Sequence, residues 1–254
     1  MNINIRKNLL NILLGIVPSS KIRKKLRLRF LSQMSRTPIT FNDKSKNKLN
    51  NNKFLIINEQ GKTLSDYAIE GLNVKFVGKN SSVIVHEPVF MKNCSITVGN
   101  NSFVEIFSSP YPIFNLSISA TNNSQVLIDE QFSCAGCLIE NHDESNLNVS
   151  IGKDCMFSHG INMRVSDGHS IYKTHNFEII NKPQNGITIG EHVWIGMNSM
   201  ILKDVTISSN SIVGAGSLVN KSFNKENVVI AGTPARIVKE NINWARENSE
   251  LFVK

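Results

Sequence analysis

The chain has 254 residues, a formal net charge of +8, 19% charged and only 7% aromatic side chains. That length buries a substantial core without a disulfide or metal staple, and the abundance of Asn and Ser suits small-residue faces with polar corners better than an α/β domain with large aromatic anchors. The positive excess lies wholly in residues 1–30, which carry Arg6, Lys7, Lys21, Arg23, Lys24, Lys25, Arg27 and Arg29 and no acid. The charge therefore belongs to one segment, and with no nucleic-acid motif beside it the body offers no ground for a nucleic-acid partner.

Residues 1–35 are expected to form a basic amphipathic helical segment. Its apolar run, 9–17, is too short to span a bilayer. The polybasic run follows it instead of preceding it, and no small-x-small site is present, which disfavours a cleaved signal. Two other readings stay open: an element lying on an anionic cytoplasmic membrane surface, or a helix packed on a neighbouring subunit. Residues 36–52, rich in Asn and Lys and short of aliphatics, read as a polar linker or poorly ordered loop.

From 53 to 149, alternating apolar residues lead repeatedly to corners at Gly78, Gly99, Thr121 and Gly152, with a further irregular corner expected near Asn141. Alternation of period two means strand, and the corner residues mean turn, so irregular coils are expected here. Residues 165–186 fall off the pattern and are expected to leave the body as a loop, the kind of place where a rigid scaffold aims functional groups. This loop carries Asp167, His169, His175 and Glu178.

The clearest signal is in residues 187–224. Ile189, Ile195, Ile201, Ile207, Val213 and Val219 recur every six residues, with Gly190, Gly196, Ser208 and Gly214 after them. Neither a helix nor a single strand has that period. A solenoid does: each hexapeptide makes one short side, three sides close a coil, and the aliphatic residue points inward. Regular coils are thus expected over 150–224 within a solenoid body of 53–239. A helix from about residue 240, within a tail of 240–254, is expected to cap the apolar end.

The four cysteines, Cys94, Cys134, Cys137 and Cys155, read as reduced and buried. Cys134-x-x-Cys137 lacks the second pair of a zinc site and the βαβ setting of a redox motif. A three-histidine metal site is disfavoured by the spacings of 10 and 6 across His159, His169 and His175, so no metal is expected.

Three phrases, DGHSIY at 167–172, HVWIG at 192–196 and AGTPARIVKENINWAR at 231–246, resemble those of the hexapeptide-repeat acyltransferases, and among them most the bacterial capsular polysaccharide O-acetyltransferases of polysialic acid type. The likeness covers 147–248 well and 54–146 in outline, and leaves 1–53 outside. It implies a left-handed parallel β-helix, a hand that the spacing does not supply and that the usual crossover rule would reverse. It also implies acetyl-CoA as donor and a homotrimer with each site between two subunits.

By the same resemblance His169 is the general base, a role that suits a group titrating near neutrality, and Trp194 lines the site beside the thioester. Asp167 or Glu178 is a candidate to orient the imidazole. Gly214 and Ala215 admit the pantetheine arm, while Lys221, Arg236 and Lys239 match positions near the phosphates of coenzyme A. His159, His175 and His192 are weaker candidates; His159, in a Ser-His-Gly corner, reads as structural before it reads as facing the acceptor groove. With no Gly-x-Ser-x-Gly elbow and no cysteine in the loop, direct transfer is expected without an acyl-enzyme.

The expected function is O-acetylation of a cell-surface, capsular polysaccharide at the inner face of the cytoplasmic membrane. N-acetylation of a nucleotide-linked amino sugar and a non-catalytic scaffold are the alternatives.

Overall fold

A computed structural model describes residues 26, 36–38, 50–65, 67–142, 144–250 and 252. The segment 1–35 lies outside them, Leu26 excepted. Among the described residues no helix is long and apolar enough to cross a membrane.

The body is a three-sided parallel β-solenoid whose faces, among the described residues, hold eight, seven and eight strands, two of them antiparallel additions at the ends. The first face begins at Lys53–Ile57 and runs through Ser82–His86, Phe103–Ile106, Gln125–Ile128, Asn148–Ile151, Ile187–Ile189 and Thr206–Ile207. The second face includes Phe90–Lys92, Pro112–Phe114, Met156–Phe157, Trp194–Ile195 and Ile212–Val213. The third runs from Leu72–Phe76 through Ile161–Arg164 and Met200–Leu202 to Leu218–Val219.

Successive coils pair in parallel register and so place like residues above one another. On the first face Val85, Ile106, Ile128, Ile151, Ile189 and Ile207 form one column, every member essentially buried. Burying such a side chain is worth about 1.5–3 kcal/mol, and the column repeats that gain at every coil. All six hexad residues identified from spacing, Ile189 to Val219, are inside.

The corners are built from residues that tolerate a left-handed backbone. Asn51, Asn80, Asn101 and Asn123 have φ of 50–57° and form a ladder of side-chain amides, each Nδ2 donating to the Oδ1 of the next at 3.1–3.3 Å. Asparagine accepts this backbone more readily than other side chains do, and its amide satisfies its neighbour. Gly152 belongs to a different corner from Gly78 and Gly99. It follows the first face and abuts Gly190, whereas Gly78 abuts Gly99 and Gly99 abuts Thr121. The corner that continues the Thr121 series is Asn141, whose Oδ1 accepts from Thr121 N at 2.9 Å, as expected for that position.

The expected linker 36–52 contributes a strand, Arg36–Pro38, antiparallel to Tyr67–Ile69. It gives backbone partners to a strand that belongs to none of the three faces, as exposed strand edges demand.

Among the described residues the expected C-terminal helix is absent. Ala235–Glu240 is a strand, antiparallel to Val228–Gly232 at the end of the second face, and residues 241–250 are irregular. The reason is visible in the alternation Ile242, Trp244, Arg246: every second residue turns to the body, a period that fits an extended chain and not a helix. This tail runs back across the corners between the first and second faces. Ile242 N donates to Asn227 O at 3.0 Å, and Trp244 stacks on His192 at 4.2 Å. Arg246 reaches Asp154 Oδ1 at 2.8 Å, Ser133 Oγ at 2.7 Å and the Gln131 carbonyl at 3.1 Å, with its guanidinium 4.0 Å from the Tyr111 ring. An extended pair of residues spans about 6.6 Å against a coil spacing of about 4.8 Å, so each inward residue of the strap finds a different coil.

Candidate active site

The loop 165–186 leaves the body between the third and first faces, after Arg164 and before Ile187. Its roots are buried at Val165, Ser166 and Pro183. Ser166 Oγ donates to the Asn141 carbonyl at 3.2 Å. At the far root, Gly186 has φ +76° and its Cβ position would lie 1.9 Å from Asn148 O, so no larger residue fits where the chain re-enters the stack. The outer part is a small hairpin: Tyr172 bridges Ile179, Ile180 N donates to Ile171 O at 2.8 Å and Lys173 N to Glu178 O at 2.9 Å. Ile171, Tyr172, Phe177, Ile179 and Ile180 are all more than half exposed.

His169 lies at the neck of this hairpin, exposed, and its imidazole makes no hydrogen bond among the described residues. The Asp167 carboxylate is directed elsewhere. It accepts from Asn181 Nδ2 at 2.7 Å and from Lys203 Nζ. Partial burial works against its ionisation, but the Lys203 and Asn181 hydrogen bonds outweigh this and hold it below the usual aspartate range. Glu178 is likewise engaged, with Lys173 Nζ at 2.7 Å and Asn176 Nδ2 at 3.2 Å, and hydrogen bonds from these two lower its pKa. Neither acid contacts the His169 ring. His175 is exposed in the hairpin.

Trp194 stands on the second face, 37% exposed, between Met156 and Ile212 in register. It borders a groove of about 400 Å³ lined also by Phe114, Ala135, Met156 and Ser158. Trp244 of the C-terminal strap lies 6.2 Å from it, tilted. Trp244 is fixed in turn by Nε1 donating to the His192 carbonyl at 2.8 Å. His192 is held through both ring nitrogens: Nδ1 meets Asp154 Oδ2 at 2.7 Å and Nε2 the Trp244 carbonyl at 3.0 Å.

The corner after the second face includes two close-packed glycines. A Cβ on Gly196 would lie 2.6 Å from Ala215 N, and one on Gly214 3.0 Å from Ala231 Cβ. Gly214 is partly exposed and Ala215 exposed at this corner, with His159 exposed two coils earlier. Arg236 pairs with Ala231 and so stands beside this edge. Lys239 pairs with Val229, three residues or about 10 Å further along the strand. Lys221 lies past the third face, its Nζ 5.5 Å from the Phe223 ring. The three cations do not form one cluster.

The four thiols are free and buried. Burial pushes Cys134 and Cys155 up to about 12 and Cys137 well above its ordinary value, which makes them packing residues and poor nucleophiles. Among the described residues no group of three His, Cys, Asp or Glu is placed to hold a metal ion.

Sequence reasoning missed Asn181, Lys203 and Arg246. The first two are polar residues off any motif, and their roles depend on contacts across the loop and to the next coil. Arg246 falls within a quoted phrase, but its hydrogen bonds reach residues 91 or more positions away in sequence.

Residues 186–221 match the family model for the bacterial transferase hexapeptide (six repeats). A polysialic acid O-acetyltransferase of Neisseria meningitidis is 36% identical over 171 residues, 67% of this chain and 78% of that protein. Two solved structures resemble this one with a TM-score of 0.68. One is the polySia-specific acetyltransferase NeuO, at 31% identity over 79% of this chain and 88% of that one. The other is the polysialic acid O-acetyltransferase OatWY, at 33% identity over 80% and 91%. The solenoid shares with these relatives the left-handed coil.

Proposed function

The chain belongs to the hexapeptide-repeat acetyltransferases that include the polysialic acid O-acetyltransferases, and from that premise we propose that it transfers an acetyl group from acetyl-CoA to a hydroxyl of a capsular polysaccharide, with His169 as general base. The observation that carries the reading is the condition of His169: its backbone is hydrogen-bonded into a braced loop while its imidazole faces solvent unengaged. A histidine kept for structure is normally hydrogen-bonded through its ring, as His192 is. The imidazole takes the proton of the acceptor hydroxyl as that oxygen attacks the thioester carbonyl carbon. The tetrahedral intermediate collapses with cleavage of the C–S bond, and the imidazolium returns the proton to the departing thiolate.

The small residues Gly214 and Ala215 suit the thin pantetheine arm, with Arg236 beside them for a phosphate. Lys239 and Lys221 stand too far apart along the body to join Arg236 on one phosphate, and their part is the more distal ends of the nucleotide. Trp194 closes the groove at the acyl end.

Within one chain the His169 loop and Trp194 belong to different sides of the prism. The exposed apolar hairpin, together with exposed Met197 and Met200, supports a homotrimer in which one subunit's loop reaches the neighbour's second face. Residues 1–35, with eight cations and no acid in the first thirty positions, suit the anionic inner surface of the cytoplasmic membrane.

The test is thioester consumption by purified protein given acetyl-CoA and a panel of capsular polysaccharides and nucleotide amino sugars, with His169→Ala alongside. Turnover with a polymer, abolished by the substitution, is expected. Turnover that survives the loss of His169 overturns the mechanism, and turnover with amino sugars alone overturns the acceptor.

A further inference from the structure

The stretch from Asp167 to Ile171 is held by one side chain from the other end of the hairpin. Asn181 accepts from Ile171 N at Oδ1 (2.7 Å) and donates from Nδ2 to the His169 carbonyl (2.8 Å) and to Asp167 Oδ2 (2.7 Å). Both donors and the acceptor of the carboxamide are spent on three alternate residues. Its orientation is set by its partners, since the oxygen faces an N–H and the nitrogen faces two oxygens. The anchored carbonyl of His169 is one bond from its Cα, and the anchored N–H of Ile171 fixes the next peptide plane. The two together restrict the backbone from which the imidazole projects.

The clasp is not free to drift. Lys203, directly after the third-face strand Met200–Leu202, donates to the Asn181 carbonyl at 2.9 Å and to the Asp167 carboxylate. Its side chain is four-fifths buried. The neighbouring Asp204 accepts from Gln184 N at 2.8 Å and Asn185 N at 2.7 Å, which pins the return limb of the loop to the same coil. A rigid coil therefore holds Lys203, Lys203 holds Asn181 and Asp167, and Asn181 holds the His169 backbone.

We propose that Asn181 is the positioning residue for His169, with Lys203 tying it to the solenoid, and that Asp167 serves this clasp instead of orienting the imidazole. The inference rests on the reading of His169 as base. A carboxamide is needed because the site asks for two donors and one acceptor. Asn181→Asp keeps the shape and the acceptor but removes both donors and sets a carboxylate against Asp167 and the His169 carbonyl. Misplacing a catalytic group by about 1 Å costs on the order of 100-fold in rate.

The experiment compares wild type, Asn181→Asp, Asn181→Ala, Lys203→Met and His169→Ala, all in full-length protein with acetyl-CoA and the polymer acceptor that the panel identifies. We expect kcat to fall about 10- to 100-fold in both Asn181 variants and less in Lys203→Met. KM for acetyl-CoA should stay within about twofold, because the donor lies along the coils. Thermal unfolding should shift by only a few degrees in all three variants, since the loop buries little. If His169→Ala is inactive while both Asn181 variants keep kcat within twofold, the clasp is overturned and the base reading stands. If the Asn181 variants lose activity only in proportion to unfolded protein, measured by circular dichroism at the assay temperature, their role is structural and the clasp is likewise overturned. If His169→Ala turns over normally, the base reading falls and the clasp with it.

Discussion

On the first face the coils between Ser82 and Ile151 repeat every 21–23 residues and turn on stacked asparagines, whereas those from Ile187 to Val219 repeat every 18 and set single residues such as Asn198, Asp204 and Asn210 beside glycines and serines at their corners. Both stacks bury the same kind of aliphatic column. What differs is how each corner is satisfied. In the early coils the amides of Asn80, Asn101 and Asn123 bond to one another, so the corner supplies its own partners and an extra residue does no harm. In the late coils Gly196 is buried against the backbone of the next coil, and the neighbouring Gly214 and Ala215 carry nothing larger than a methyl group. The amide ladder satisfies itself, while the small-residue corner leaves Ala215 and Gly216 exposed.

The largest expected effect tests what the two regions have in common. Ile118 and Ile201 belong to one column on the third face and are both essentially buried. Ile118→Ala and Ile201→Ala should each cost about 2–5 kcal/mol, read from urea unfolding. A much smaller cost for either would mean that the two stacks do not share one close-packed core.

Next comes the strap, which crosses from the late coils to the early ones. Arg246→Ala removes the hydrogen bonds to Asp154, Ser133 and Gln131 together with the stacking on Tyr111, and should cost about 2–3 kcal/mol. Arg246→Lys should recover little of it, because an ammonium cannot reproduce the planar fork. Full recovery by lysine would reduce the strap to a charge effect.

The corners themselves separate at about 1–2 kcal/mol. Asn101→Ala puts an alanine at φ 50° and breaks the ladder, at a cost of about 1–2 kcal/mol. Asn101→Gly keeps the backbone and loses only the amide, and should cost less. In the late coils Gly216, at φ +69° with open space around its Cβ position, should accept Asn nearly neutrally. If Gly216→Asn destabilises as much as Asn101→Ala, the two corner types are not interchangeable backbones.

The smallest effect concerns acid. The Asp167 carboxyl is lowered in the folded state, so its contribution to holding the loop is present above the ordinary aspartate pKa of about 3.9 and is lost as pH falls through its lower folded value. Hydrogen-exchange protection of the Ile171 amide should therefore hold from neutrality to about pH 5 and fade only below about 4. Loss beginning near pH 6 would assign the loop's hold to another group.

The hexad ruler was legible because each hit answers to the same constraint, an inward position with no room for a polar group. The early coils were legible only in outline, since the extra residues break the ruler. Gly152 was grouped with Gly78 and Gly99 because a glycine after alternating apolar residues looks alike at every corner. The C-terminal tail was misread because a capping role was assigned to a helix by habit of such folds, although the alternation of Ile242, Trp244 and Arg246 was present in the sequence. Asp167 and Glu178 are both candidates from the sequence to orient the imidazole, and in the structure the Asp167 carboxylate bonds Lys203, 36 residues further along.

The sequence by itself determined the solenoid, its inward columns, the place where the loop leaves and the residues that face it outward, because each depends on local period and on backbone tolerance at single positions. Only the tertiary structure decided which coil holds the loop, where the strap docks and what Asp167 bonds. Those are pairings between residues tens of positions apart, and stacking brings them together at a distance set by coil count and insertions, which no local pattern encodes.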